Sequence, residues 1–357
     1  MNEESSTTSS HLSVAMTTMN IDEMSTTGGD SKTSSSSNDL EFYSQIAVVV
    51  IGFVGTAGNA LVLYALFASK QHKKLILIVN QNALDLFSSF SLFLVYMLKL
   101  CNIHLTGTLG YWLCMLLLSE NFIWCGTNGS IINLAAITID RYLKVVHHVW
   151  SRKWLRPWVI YSAMAFAWFA GIICNTVLVF VTSIVVDGVC YSYIEFGGGL
   201  QFRAYFVWYI LSFYVIILII FIFCYGRILV AVRRQGSLMA SHCRASESSR
   251  PNAQSHQIQC NVIKTMVLVS AFYAVTWGPA NVYYTLSLLN YPPDLTVVDT
   301  RYYVTMFIAF LYTCANPFIY ATKFDPVRKV LKGMIPCIRR RLPDSPRTST
   351  AVTAQSW

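Results

Sequence analysis

Trp158-Val-Ile-Tyr-Ser-Ala-Met-Ala-Phe-Ala-Trp-Phe-Ala-Gly-Ile-Ile-Cys-Asn-Thr-Val-Leu-Val-Phe-Val-Thr-Ser-Ile184 contains no charged side chain. Crossing ~30 Å of hydrocarbon at 1.5 Å per residue takes about 20 helical residues, and this run exceeds that. Six more stretches of similar length lie at 45–68, 75–99, 110–140, 203–231, 262–290 and 302–322, separated by short polar segments. The third, fifth and sixth of the seven carry scattered polar residues, so their lipid-facing stripes are partial. None shows the ~10-residue alternation of a membrane β-barrel strand. The pattern predicts an all-α, seven-helix membrane bundle.

Composition agrees. Of 357 residues 55% are hydrophobic and only 12% charged, against about 25% charged in an average soluble domain. Such a chain lacks the charge to cover a soluble surface, which excludes an ordinary cytosolic enzyme. The basic residues set an orientation. With residues 1–44 outside, 22 of the 26 Lys and Arg fall on the inner side; only Lys32, Lys99, Arg203 and Arg301 do not. The net charge of +9 is therefore a topology signal. Its spread over four inner segments argues against a nucleic-acid partner.

Residues 1–44 are rich in Ser and Thr and hold seven acids against Lys32. Such a segment cannot bury enough apolar surface to offset its ordering entropy, so it is expected to be a disordered extracellular tail. It has no basic start followed by an apolar core, so a cleaved signal peptide is not expected. The seven-helix bundle is expected over 45–324, a membrane-surface helix over 325–337 and a disordered cytoplasmic tail over 338–357.

Ionisable residues within a membrane are expensive and by default functional. Here they fall at distinctive places: Gly58-Asn59 in the first stretch, Asn80-Gln-Asn-Ala-Leu-Asp85 in the second, and Asp140-Arg141-Tyr142 ending the third. Trp168 lies in the fourth, Tyr273-Ala-Val-Thr-Trp277-Gly-Pro279 in the sixth and Asn316-Pro317-Phe-Ile-Tyr320 in the seventh. In this order the set resembles the rhodopsin-like (class A) family of G protein-coupled receptors, over about residues 45–337.

The resemblance implies roles. Asp140 would hold Arg141 until Arg141 swings to a heterotrimeric G protein, with Tyr225 and Tyr320 closing around it and Val149 plugging into that partner. Taken alone, Asp140 and Arg141 also read as charges snorkelling at an interface. Pro279 and Pro317 each remove an intrahelical hydrogen bond and bend their helices. Trp277 matches the family's toggle position, and plain packing is the other reading. Asp85, with Ser130, Thr313 and Asn316, matches an allosteric sodium site, since oxygen ligands around a carboxylate suit a hard cation. A protonated structural Asp is the alternative.

Ten cysteines are present. The family bridge falls on Cys114 and Cys190, both on the oxidising side, with Cys101 a possible competitor for Cys190. Cys337 follows the short amphipathic run 325–335 beside Arg339-Arg340-Arg341, which suits a palmitoylated thiol and contact with membrane lipid; a free thiol is the plainer reading. The hydroxyl-rich tail would recruit arrestin once phosphorylated, or remain a solvated tail.

The chain also departs from the family. Cys114 precedes Arg141 by 27 residues, two more than usual, so the third helix has a bulge or the Cys sits higher in the loop. Ile216 and Ile217 stand where the fifth helix usually has Pro, His148 where the inner loop has Pro, and Gln259 where some members carry an acid.

Amine receptors of the family carry an Asp where this chain has Ile123, and visual pigments a Lys where it has Phe310. The ligand-facing candidates are Glu120, Trp124, Thr127, Asn128, Asn281 and Tyr284, a set suited to a peptide or a small non-aminergic molecule. A constitutively active orphan receptor is the alternative within the family. A transporter needs an internal repeat or paired midplane charges, and a seven-helix enzyme needs a catalytic motif such as H-E-x-x-H or G-x-S-x-G. Neither is found, so an enzyme is not expected.

Overall fold

The helices form where the apolar runs lie. The computed structural model describes residues 31–70, 72–73, 75–192, 200–242, 250–289 and 300–334. Along them run α1 (Ser31–Ala68), α2 (Ile76–Leu100), α3 (Gly107–Leu113), a π turn (Cys114–Leu118) and α4 (Asn121–Val146). They are followed by α5 (His148–Trp154), α6 (Pro157–Thr182), strands β1 (Ile184–Val186) and β2 (Val189–Tyr191), and α7 (Leu200–Ile210). A second π turn (Leu211–Val215), α8 (Ile216–His242), α9 (Arg250–Leu288), α10 (Thr300–Lys323) and α11 (Asp325–Met334) complete the order. Among the described residues, seven spans are long and apolar enough to cross a membrane. The third is α3, its π turn and α4; the fifth is α7, its π turn and α8.

The chain divides into residues 1–44 and 45–357. Residues 31–44, expected within the disordered tail, are helical. Extending a helix adds one bond per residue without a new nucleus, so α1 runs into the polar sequence. The third span likewise continues past residue 140 to Val146, and α5 occupies part of the expected inner loop.

The third span is the hub, packing on α2, α6 and α8, while α9 lies along α10. Close approach needs small residues. A Cβ added to Gly171 would lie 2.4 Å from the Cys125 carbonyl and 2.9 Å from Gly129 N, so α6 and α4 cross backbone to backbone.

Both π turns leave marks. Two surplus residues between Cys114 and Arg141 are taken up as a bulge: the π turn, then Glu120 in the left-handed region at φ 63°. That settles the open alternative in favour of a bulge. In the fifth span a π turn forms without the usual proline, and the Tyr273 hydroxyl from α9 donates to the Phe213 carbonyl within it.

Pro317 has the expected consequence. It has no N–H to offer the carbonyl four residues back, which is that of Thr313. Asn59 Nδ2 donates to that oxygen at 3.0 Å. The kink and the buried Asn of the first span are one device.

Candidate functional site: an outer cavity, a polar core and a cytosolic arginine

At the end of the bundle that charge bias places outside, β1 and β2 form a hairpin turned by Asp187-Gly188, with φ 49° and 78°. Asp-Gly is a favoured pair for a tight hairpin turn, so this turn is marked in the sequence itself. Cys190 in β2 is bridged to Cys114, Cα atoms 5.4 Å apart, and Cys101 is a free thiol.

Beneath lies a cavity of about 320 Å³ lined by Glu120, Trp124, Tyr209, Trp277, Asn281, Tyr284, Tyr302 and neighbours. Glu120 reaches it because of the break in the third span. Its carboxylate meets Lys99 Nζ at 2.6 Å and accepts from the Tyr96 hydroxyl at 3.0 Å. A left-handed non-glycine residue costs of order 1–3 kcal/mol and persists only where its surroundings over-determine it; these two partners help do so.

Four of the six ligand-facing candidates, Glu120, Trp124, Asn281 and Tyr284, line the cavity. Thr127 does not: its hydroxyl lies 2.8 Å from that of Ser88 on α2, because helical rotation turns it to that neighbour. Asn128 lies behind Tyr209, whose hydroxyl donates to Asn128 Oδ1 at 2.7 Å. Asn281 serves the backbone too, donating to the Trp277 carbonyl at 2.8 Å. Two buried donors here, Trp277 Nε1 and Asn128 Nδ2, have no hydrogen-bond partner among the described residues.

From Trp277 a chain of rings runs inward. Trp124 and Trp277 lie 5.9 Å apart, Trp277 and Tyr273 6.4 Å, Tyr273 and Phe221 6.0 Å, Phe221 and Tyr225 6.1 Å. A branch reaches Tyr312 at 5.5 Å from Tyr273.

Tyr312 borders the polar core. Asp85 accepts from Ser130 Oγ at 2.5 Å, from Asn316 Nδ2 at 2.5 Å and from Gln81 Nε2 at 3.4 Å to each oxygen. Thr313 turns away, its hydroxyl donating to the Phe310 carbonyl at 2.8 Å. Gln81 was not singled out from the sequence, although it stands four residues before Asp85 on the same helical face.

At the inner end Asp140 is buried and holds two cations: Arg141 Nε at 3.6 Å and Lys144 Nζ at 2.8 Å. Lys144 was missed, and its i,i+4 spacing was the signal. Tyr225 donates or accepts with Thr138 Oγ1 at 2.9 Å and Ser270 Oγ at 3.0 Å, and the buried Tyr320 hydroxyl has no partner among the described residues. Neither tyrosine hydroxyl bonds Arg141 in this arrangement. Tyr142 pairs with His147 Nε2 at 3.0 Å. Val149, on α5, is 78% exposed.

A family model described as 7 transmembrane receptor (rhodopsin family) matches residues 58–320. The chain belongs to this family. It is a G protein-coupled receptor of the plasma membrane, crossing it several times. Somatostatin receptor type 5 of Bos taurus is 27% identical over 304 residues, covering 83% of this chain and 76% of that protein. Melanopsin-A of Gadus morhua is 25% identical over 322 residues, covering 87% of this chain but only 56% of the relative. The crystal structure of squid rhodopsin has the same fold, with a TM-score of 0.67, 19% identity and coverage of 85% and 87% of the two chains.

In this receptor α11 follows the seventh span directly. Val327 is buried, Val330 and Leu331 pack against the core, and Arg328, paired with Asp325, is turned outward. The amphipathic pattern therefore forms the expected eighth helix up to Met334. Cys337, the tail hydroxyls and the Gln259 side chain lie outside the described residues.

Proposed function

We propose that this receptor responds to an extracellular peptide, part of which enters the outer cavity, and activates a heterotrimeric G protein through Arg141 and Val149. The cavity carries the reading. Its volume of about 320 Å³ is at the lower end of the ~300–1,000 Å³ usual for small-molecule sites. It accommodates one or two side chains of a ligand whose remainder rests on the rim. The acid in it, Glu120, is already matched by Lys99, so a simple amine finds no bare carboxylate. Ile123 is buried away from the cavity, and Phe310 packs against Trp124 at 6.3 Å, so neither an amine-binding Asp nor a Schiff-base Lys stands at those places. The likeness to a receptor named for somatostatin supports the same choice over the likeness to an opsin.

The test is nucleotide exchange on G protein in membranes holding the full chain, against peptide pools, biogenic amines, and retinal with light. A peptide is expected to activate, with potency reduced at least ~10-fold (1.4 kcal/mol) by Glu120→Ala. Activation by an amine alone, or by light with retinal alone, would overturn the reading.

Two further partners belong to this proposal. The six hydroxyl residues Ser345, Thr348, Ser349, Thr350, Thr353 and Ser356 form an arrestin-recruiting tail, since each phosphate adds about −1.5 to −2 charges. Truncation after Leu342 should spare exchange and lower arrestin recruitment; unchanged recruitment would refute it. Palmitate on Cys337 would fix α11 to membrane lipid, and radiolabelled palmitate absent equally from wild type and Cys337→Ser would remove that point.

A further inference from the structure

The residues beside Asp85 fit a sodium ion poorly. A hard cation takes oxygen ligands. Of the four expected groups, Asp85 and Ser130 present oxygen, Asn316 presents its amide nitrogen, and Thr313 turns to the Phe310 carbonyl. A fifth group, unforeseen, occupies the position facing the carboxylate. Gln81 Nε2 lies 3.4 Å from both Asp85 oxygens and 2.5 Å from Ser130 Oγ.

The direction of that amide is set by a relay whose first member is unambiguous. An indole N–H only donates. Trp168 Nε1 donates to Asn80 Oδ1 at 3.0 Å, so Asn80 turns its nitrogen to Asn133 Oδ1, at 2.9 Å. Asn133 Nδ2 then donates to Gln81 Oε1 at 2.8 Å and to the Leu77 carbonyl at 3.0 Å. Gln81 has only its NH₂ left for Asp85. Turning the amide over would set two nitrogens against each other at Asn133 and an oxygen against a carboxylate. Asn80, Gln81, Asn133 and Ser130 are all buried, so water does not compete for these bonds.

We infer that the Gln81 amide is a built-in occupant of the cation's place, making the stability and conformational balance of this receptor independent of sodium, and that removing it opens a sodium site at Asp85. The inference does not depend on the nature of the ligand.

The experiment is thermal unfolding of the purified full-length receptor in NaCl and in choline chloride at equal ionic strength, ~150 mM. Wild type is expected to unfold at the same temperature in both salts. Gln81→Leu, which keeps the side chain's bulk and removes its donors, is expected to unfold several degrees higher in sodium than in choline. Adding Asp85→Asn should erase that difference. Gln81→Met serves if the Leu variant does not fold. A sodium-dependent rise in wild type that Asp85→Asn abolishes would overturn the inference outright. Sodium indifference of folded Gln81→Leu or Gln81→Met would overturn the claim that Gln81 is what keeps the ion out.

Discussion

Around Asp85, the side chains of Gln81, Ser130, Asn133 and Asn316 each donate to a named acceptor. Beside the outer cavity, some of the same chemistry is left open: among the described residues Trp277 Nε1 and Asn128 Nδ2 find no acceptor. Both regions are buried, and a buried donor without an acceptor costs about 1–3 kcal/mol. The core has removed that cost with its own residues. The cavity's surroundings retain it, beside Glu120, which is held in a left-handed conformation. Local rules tend to break at functional sites, and beside the cavity the open donors and the left-handed Glu120 stand close together.

Changes in the core should therefore act first on stability. Asp85→Ala takes the carboxylate from Ser130 and Asn316, and the weaker contact from Gln81, and is expected to cost about 3 kcal/mol or more, seen as a large fall in unfolding temperature and in surface level. An unchanged midpoint would mean that the carboxylate is not the sink for these donors.

Next in size is the covalent tie over the cavity. Cys114→Ser or Cys190→Ser opens a cross-link spanning 76 residues and should cost about 2–4 kcal/mol. Peptide mapping without reduction checks the premise: Cys114 joined to Cys190 is expected, and Cys101 joined to Cys190 would redraw the cavity's roof.

The smallest stability effect belongs to the cavity itself. Trp277→Phe keeps an aromatic ring against Trp124 and Tyr273 and removes the unpartnered N–H. Stability should change by less than about 1 kcal/mol, since losing an unsatisfied donor offsets part of the lost packing, while the response to agonist falls. A large loss of stability with full response would reverse the contrast between the two regions.

Much of this was legible in the chain. Hydropathy located all seven spans, because each is a long run that lipid requires to be helical. The positions of Asp85, Arg141, Trp277 and Pro317 followed from the family resemblance, as did the Cys114–Cys190 bridge. What escaped depended on rotation and on φ. Thr127 faces α2 because of a helical phase that the third span's π turn and break make hard to extrapolate from outside. The two surplus residues before Arg141 left a bulge and a higher-lying Cys equally open, and could not say that Glu120 would take the positive φ, since no glycine marks the place. Gln81 reads as an ordinary polar residue until Trp168, Asn80 and Asn133 fix which end of its amide meets Asp85. Lys144 and the Asp187-Gly188 turn were readable by spacing and composition alone.

On the proposed function, ligand is sensed at the cavity and G protein engaged at Arg141, with a ring chain from Trp277 to Tyr225 between them. The most direct test is nucleotide exchange on G protein by wild type and Arg141→Ala at matched surface density. Arg141 is partly exposed and pairs only loosely with Asp140 at 3.6 Å, while Lys144 keeps that carboxylate paired. Loss of the arginine should therefore leave folding and surface level intact and abolish basal and agonist-driven exchange. Wild-type exchange by Arg141→Ala would contradict the account.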